Sequence, residues 1–164
     1  MWLISTTLGF LNTAHAQSFS FDNLTKADGL PQNTVIDIVE DKRGFMWFAT
    51  ANGLTRFDGY EFVSYQHNPN DIASLPHDFI RTLLIDPKGV LWVGTQNGLA
   101  RYNPLNDNFT RYNQHNSSLN GNIIYALNIT PEGNLLVANE SSLYTYSIAT
   151  NDFSNVQIAN LTLP

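Results

Sequence analysis

An all-β fold assembled from repeated four-stranded sheets is what this sequence predicts, and three observations predict it. The stretch DKRGFMWFATANGLTRFDGYEF, residues 41–62, returns as DPKGVLWVGTQNGLARYNPLNDNF over 86–109 and, eroded, as TPEGNLLVANESSLYTYSIATNDF over 130–153. Gly44, Gly89 and Gly133 mark the same point in each copy and stand 45 and 44 residues apart, a period of the propeller and solenoid class. Each copy divides into four short apolar or β-branched runs separated by turn residues, and nothing long keeps a 3.6-residue period. Four-stranded units repeated around an axis make a β-propeller. The expected architecture is therefore about three antiparallel blades of 44–45 residues, an incomplete propeller.

Residues 1–16 open with an apolar run (Trp2, Leu3, Ile4, Leu8, Phe10, Leu11) closed by Ala14-His15-Ala16. That is the A-x-A pattern of a secretory cleavage site, and the run is too short to span a bilayer. No Lys or Arg precedes it, a departure from the usual signal. Either the start lies downstream of the natural one, or the segment is a buried N-terminal strand; a signal peptide is the favoured reading. Residues 17–29 carry the alternating stretch Phe19–Leu24, which reads as one strand completing the sheet of a last blade.

The first repeat covers 30–74. TVIDIVE at 34–40 suits a strand buried on both faces. Asp41 and Gly44 bound a tight turn, since Asp bonds the backbone ahead and Gly takes positive φ. Phe45–Thr50, Leu54–Phe57 and Phe62–Tyr65 follow as strands, with Asn52-Gly53 the hairpin signal between the first two. The second repeat, 75–118, matches element by element: Phe79–Ile85, Val90–Thr95, Leu99–Tyr102 and Phe109–Tyr112. The third, 119–164, keeps the apolar frame in Ile123–Ile129, Leu135–Ala138, Leu143–Tyr146 and Phe153–Val156. Its polar landmarks are gone: Thr130 stands for the turn Asp, Ser141-Ser142 for Asn-Gly, and Leu136 for Trp47 and Trp92. A large apolar residue at that position in every repeat marks core packing between blades, worth at most several kcal/mol per Trp at ~25 cal/mol/Å².

Composition excludes several functions. The net charge is −6, and no Lys or Arg follows Arg111, so the basic face that nucleic-acid binding needs is missing. Without cysteine there is no thiolate metal site, disulfide or thiol nucleophile. The histidines at 15, 67, 77 and 115 form no metal-ligand spacing, so no metal and no cofactor are expected. A propeller glycosidase would need an arginine cluster and paired carboxylates; here Arg56 and Arg101 read as exposed third-strand residues. No catalytic residue is assigned.

The elements quoted above resemble the repeat of the two-component regulator propeller family in order and spacing. The resemblance rests on Leu30-Pro31, Asp41, Gly44, Trp47, Thr50, Asn52-Gly53-Leu54 and Phe57-Asp58-Gly59. The second copy adds Leu75, Asp86, Gly89, Trp92, Thr95, Asn97-Gly98-Leu99 and Tyr102. It runs from about Phe19 to Tyr112 and is degenerate beyond. The resemblance implies the N-terminal periplasmic sensor part of an inner-membrane signalling protein, with a histidine kinase or diguanylate cyclase downstream and absent from these residues. The implied partners are a small periplasmic ligand, the rest of the propeller, the membrane-anchored output domain and a second copy in a homodimer. A structural or protein-docking propeller without a small ligand is the alternative.

Loops on a rigid sheet scaffold carry function. The crossings Gln66–Ser74 and Gln114–Asn120 and the turns Ala51-Asn52 and Gln96-Asn97 are expected on one face. Asn70, Asp71 and His115 are the candidate ligand contacts there. Turn formation is the competing explanation for the asparagines, and the preferred one at Asn52 and Asn97. The chain is also expected to be a fragment, its third blade exposing Ile124 and Leu127. If the N-terminal reading holds, exported protein begins at Gln17; N-terminal sequencing of the periplasmic form checks this, and retention of Trp2–Ala16 would refute it.

Overall fold

The computed structural model describes residues 25, 29–30, 32–140, 142–147 and 150–156. The signal segment, the Phe19–Leu24 strand and the chain end beyond 156 lie outside the described residues. Twelve strands run as β1 Val35–Glu40, β2 Met46–Thr50, β3 Gly53–Phe57, β4 Phe62–Tyr65, β5 Ile80–Ile85 and β6 Leu91–Thr95, then β7 Gly98–Asn103, β8 Asn108–Tyr112, β9 Ile124–Ile129, β10 Leu135–Asn139, β11 Leu143–Ser147 and β12 Asp152–Asn155. They form three four-stranded antiparallel sheets, each in simple sequence order, and no closed ring. No helix occurs among the described residues.

The sheets stack face to face. Alternation along a strand sends successive side chains to opposite faces, so each blade offers one face forward and one back. Trp47 and Ala49 point forward and Phe48 back, each sharing its face with the residue paired across the sheet. The core between the first two sheets gathers Trp47, Leu54, Leu75, Ile80, Val93 and Tyr102. The core between the second and third gathers Trp92, Leu99, Leu119, Ile124, Val137 and Tyr146. Leu75 and Leu119 come from the crossings and plug the ends of these cores at 0% and 2% exposure.

Two expectations about burial are corrected. β1 is not buried on both faces: Ile36 and Ile38 are 40% and 49% exposed. Among the described residues only the middle sheet has a sheet on either side, so β5 is the strand covered on both faces, Ile80 and Leu83 in the first core and Leu84 against the second. Ile124 and Leu127 do not lie on the open face of the third blade; they face the second sheet. The forward face of that blade instead carries Leu136, Ala138 and Thr145, by their register.

The hairpins turn at Ala51-Asn52 and Gln96-Asn97, as expected, with the glycine as the first residue of the returning strand. Thr50 pairs with Gly53, so Ala51-Asn52 form the two-residue loop, and Asn52 does not take positive φ. Thr50 Oγ1 closes it, donating to Gly53 O at 2.9 Å and accepting from Asn52 N at 3.0 Å. Thr95 repeats both bonds around Gly98. The glycine serves a different purpose: its N–H donates to the strand entering the next blade, Gly53 to Asp78 O at 2.7 Å and Gly98 to Asn122 O at 2.6 Å.

A β-carbon at Gly98 would stand 2.7 Å from Tyr112 O, on a backbone with φ +118°. Gly98→Ala is therefore expected to cost about 1–3 kcal/mol. Gly59→Ala, with φ +99° and nothing within 4 Å, should cost about 1 kcal/mol from backbone strain alone. Thermal unfolding of the two variants checks the order; equal losses would show that the close approach at Gly98 does not matter.

Candidate functional site

Each blade has two ends. At one, the crossings meet the β2–β3 and β6–β7 hairpins. Gln66 Nε2 donates to Asn52 O at 3.2 Å, joining the first crossing to its hairpin. Asn70 and Asp71 lie exposed in the first crossing and His115 exposed in the second. Most of the amide and carboxylate oxygens here cap their own turns. Asn68 Oδ1 accepts from Asn70 N, Asp71 Oδ1 from Ala73 N, and Asn113 Oδ1 from His115 N. Each crossing is tied down by the outer strand of the blade it enters. Arg111 in β8 donates to the carbonyls of Ser74 and Asp71, at 2.7 Å each. Asp152 in β12 accepts from Ser118 N and Oγ at 2.9 and 2.6 Å.

Between the two crossings, along β8, runs a groove of about 590 Å³ lined by Ile72, Asn103, Asn108, Phe109, Asn113 and Asn116. It lies beside Asn70, Asp71 and His115 without being lined by them. Sequence reasoning missed this groove because it follows the outward surface of a strand, which carries no turn signal.

At the other end sits a chain of polar contacts between blades. Asp41 Oδ1 accepts from the backbone N–H groups of Arg43 and Phe45 at 2.8 and 3.2 Å. Its Oδ2 accepts the indole N–H of buried Trp47 at 3.1 Å and pairs with Arg43 at 3.0 Å. Burial pushes this carboxyl up, but the bonds from Trp47 and Arg43 outweigh it and hold it below the usual carboxylate range. Asp86 holds Trp92 in the same way at 3.1 Å. The Trp47 ring packs edge-on against Tyr102 of the next blade, centroids 4.8 Å apart, and Trp92 against Tyr146 at 4.9 Å.

The tyrosine hydroxyls then need acceptors. Tyr65 and Tyr102 both donate to Asp107 Oδ1, at 2.6 and 2.5 Å. Arg56 Nη1 joins them, 2.9 Å from the Tyr102 hydroxyl and 3.2 Å from the carboxylate. At the next interface Tyr112 and Tyr146 donate to Asn151 Oδ1 at 3.1 and 2.6 Å. Asp107 and Asn151 share a left-handed backbone, φ 50° and 53°, which Asp and Asn tolerate best among residues with a β-carbon. Arg56, expected to be exposed, is thus held at the interface by the Asp107 carboxylate, its side chain 18% exposed. Arg101, its counterpart, remains exposed. Among the described residues no group of three His, Cys, Asp or Glu is placed to hold a metal ion.

Stacked four-stranded antiparallel sheets with this repeated latch define a segment of a β-propeller. The family model of the two-component regulator propeller matches residues 29–52 and 74–97, within the first two repeats. Over 62 residues, 38% of the chain, the sequence is 45% identical to "Histidine kinase P4" of Formosa agariphila, spanning 4% of that protein. It is also similar to the extracellular domain of BT3049 of B. thetaiotaomicron, assigned as a hybrid two component system. That match has 30% identity and a TM-score of 0.74 over 82% of this chain and 20% of that one. Virginiamycin B lyase from Staphylococcus aureus, 15% identical with a TM-score of 0.56 over 77% of this chain and 42% of its own, shares the fold alone.

Burial alone would raise the Asp107 carboxyl, but the Tyr102 and Tyr65 hydroxyls and Arg56 hold it below the usual range. A carboxylate so depressed contributes stability that is complete above the unfolded-chain pKa of about 3.9 and is lost as pH falls through the folded value. Asp107→Asn should remove that acid-dependent component while costing under about 1 kcal/mol at neutral pH, since Asn151 shows an amide oxygen accepting both hydroxyls. Asp107→Ala should cost about 1–3 kcal/mol by leaving them without an acceptor. Chemical denaturation between neutral and acid pH checks both, and an unchanged acid limb in Asp107→Asn would refute the assignment.

Proposed function

We propose that this chain is part of an extracytoplasmic sensory propeller that recognises a small ligand and passes its state to a membrane-anchored output domain. The observation that carries the reading is the 30% identity, at a TM-score of 0.74, to the extracellular domain of an assigned hybrid two component system. The 45% identity to a histidine kinase over 62 residues supports the same class of protein. In this reading the chain lies in the periplasm, the full-length protein is held in the inner membrane, and the output is a histidine kinase or a diguanylate cyclase. The propeller works by binding and assigns no reaction to these residues.

The ligand face is the crossing end, with Asn70, Asp71 and His115 as its contacts. The Asn70 amide and the His115 ring are spared the turn-capping that occupies Asn68 and Asn113. One observation favours a second reading, a protein-docking face with or without a homodimer. Ile72, 85% exposed, lines the groove, and Leu105, 93% exposed, sits in the turn between β7 and β8; both offer apolar contacts that a small polar ligand does not need.

Alanine at Asn70, Asp71 and His115 together is expected to lower signalling by the full-length protein by tenfold or more with expression unchanged. A thermal-shift screen of its complete extracytoplasmic part should show saturable stabilisation by one ligand class. Unchanged signalling would remove the crossing face from the proposal. No stabilisation across a broad panel, with loss of signalling on Ile72→Asp, would favour docking.

A further inference from the structure

The two described interfaces between blades are copies of one device, and they differ in one charge. In the first, Arg56 and two tyrosine hydroxyls converge on the carboxylate of Asp107. In the second, Tyr112 and Tyr146 converge on the neutral amide of Asn151. Arg101 occupies the position of Arg56, opposite Trp92 where Arg56 stands opposite Trp47. It lies 5.9 Å over the Trp92 ring and makes no ion pair among the described residues.

Lys88 repeats the contrast. Its counterpart Arg43 pairs with Asp41, whereas Lys88 has no ion pair with Asp86. The Asp86 carboxylate is taken up by the N–H groups of Lys88 and Val90 and by the Trp92 indole. Beside these groups is a cleft of about 210 Å³ lined by Asp86, Lys88, Trp92, Arg101, Tyr146 and Asn151. Two cations against one hydrogen-bonded carboxylate leave it with a net positive charge. The Asn151 oxygen is occupied by two hydroxyls, so its NH₂ group adds donors without an acceptor among the described residues.

We propose that this cleft is a binding site for a small carboxylate, which supplies from solution, beside Asn151, the negative charge that Asp107 supplies from within the chain at the other interface. Arg101 supplies the planar pair of donors that suits a carboxylate, Lys88 a second positive charge, and the Asn151 amide a neutral donor. The wall opposite is the Trp92 ring, which excludes water from one side of the pair. Occupation would fasten the third blade to the second from outside, coupling ligand level to the rigidity of one blade interface. The proposal rests on the comparison of the two interfaces and stands whether or not the propeller is a sensor.

The test uses the full chain, isotopically labelled, titrated with acetate against chloride at fixed ionic strength and neutral pH. Expected is a saturable movement of the Trp92 indole, Arg101 Nε and Asn151 amide resonances in acetate and not in chloride. Arg101→Gln should weaken that response at least tenfold. Asn151→Asp should abolish it and raise Tm by a few degrees, because the anion is then built in as at Asp107. Equal responses to acetate and chloride, or an acetate response that survives both substitutions, would overturn the proposal. So would the absence of any movement at saturating acetate.

Discussion

A tryptophan buried between two sheets brings an N–H that must find an acceptor, and the architecture follows from how that demand is met. Leaving such a donor unpaired costs about 1–3 kcal/mol, a large part of the stability of a small domain. The acceptor is the turn aspartate six residues earlier, Asp41 or Asp86, whose other oxygen holds the turn itself. One carboxylate therefore fixes the hairpin and aims the indole. The aimed ring meets a tyrosine of the next blade, whose hydroxyl in turn requires an acceptor, and that acceptor sits in the next outer turn. Local turn chemistry is thereby tied to contact between repeats. The third repeat supports the dependence: it lacks the turn Asp and the Trp together, Thr130 caps the turn through its hydroxyl, and Leu136 has no side-chain donor to satisfy.

The opposite end of each blade is held by backbone instead. Gly53 and Gly98 donate their N–H groups to the strand entering the next blade, and a β-carbon on either would meet the carbonyl of Tyr65 or Tyr112 at the end of its own outer strand. Leucines from the crossings close the apolar cores beneath. Side chains at this end mostly hold the crossings in place, which leaves few of them free and makes the unoccupied ones conspicuous. A scaffold rigid at both ends, with its polar loops pinned by Arg111 and Asp152, can hold a binding face without relying on flexible segments.

Period, strand content and burial of the two tryptophans were legible in the sequence because each is local or periodic, and the twelve strands fall within a residue or so of their expected limits. What was not legible depends on which blade a residue faces. β1 and β5 pair with their neighbours in the same register, yet Ile38 is exposed where its counterpart Leu83 is covered, since burial is decided by the neighbouring sheet and not by the strand. Arg56 looked like Arg101 for the same reason. Its partner Asp107 belongs to another turn, 51 residues on, and no local pattern marks the pairing. Asn-Gly marked the hairpins, but the bond from each glycine N–H to Asp78 or Asn122 reaches into the next repeat, and no local pattern marks it.

Repetition also separates what the scaffold requires from what it leaves open. Buried positions recur with near-identical geometry: indole to carboxylate at 3.1 Å twice, ring to ring at 4.8 and 4.9 Å. A change there must be compensated within the core, as the joint loss at Thr130 and Leu136 illustrates. At the rim of the same interface the copies diverge in charge, Asp107 against Asn151 and paired Arg56 against unpaired Arg101, without disturbing the tyrosine hydroxyls between them. Solvent makes that divergence tolerable, since exposed ion pairs contribute little to stability. Positions where the core is copied and the charge is not are therefore where a propeller of this kind can acquire chemistry at the least structural cost.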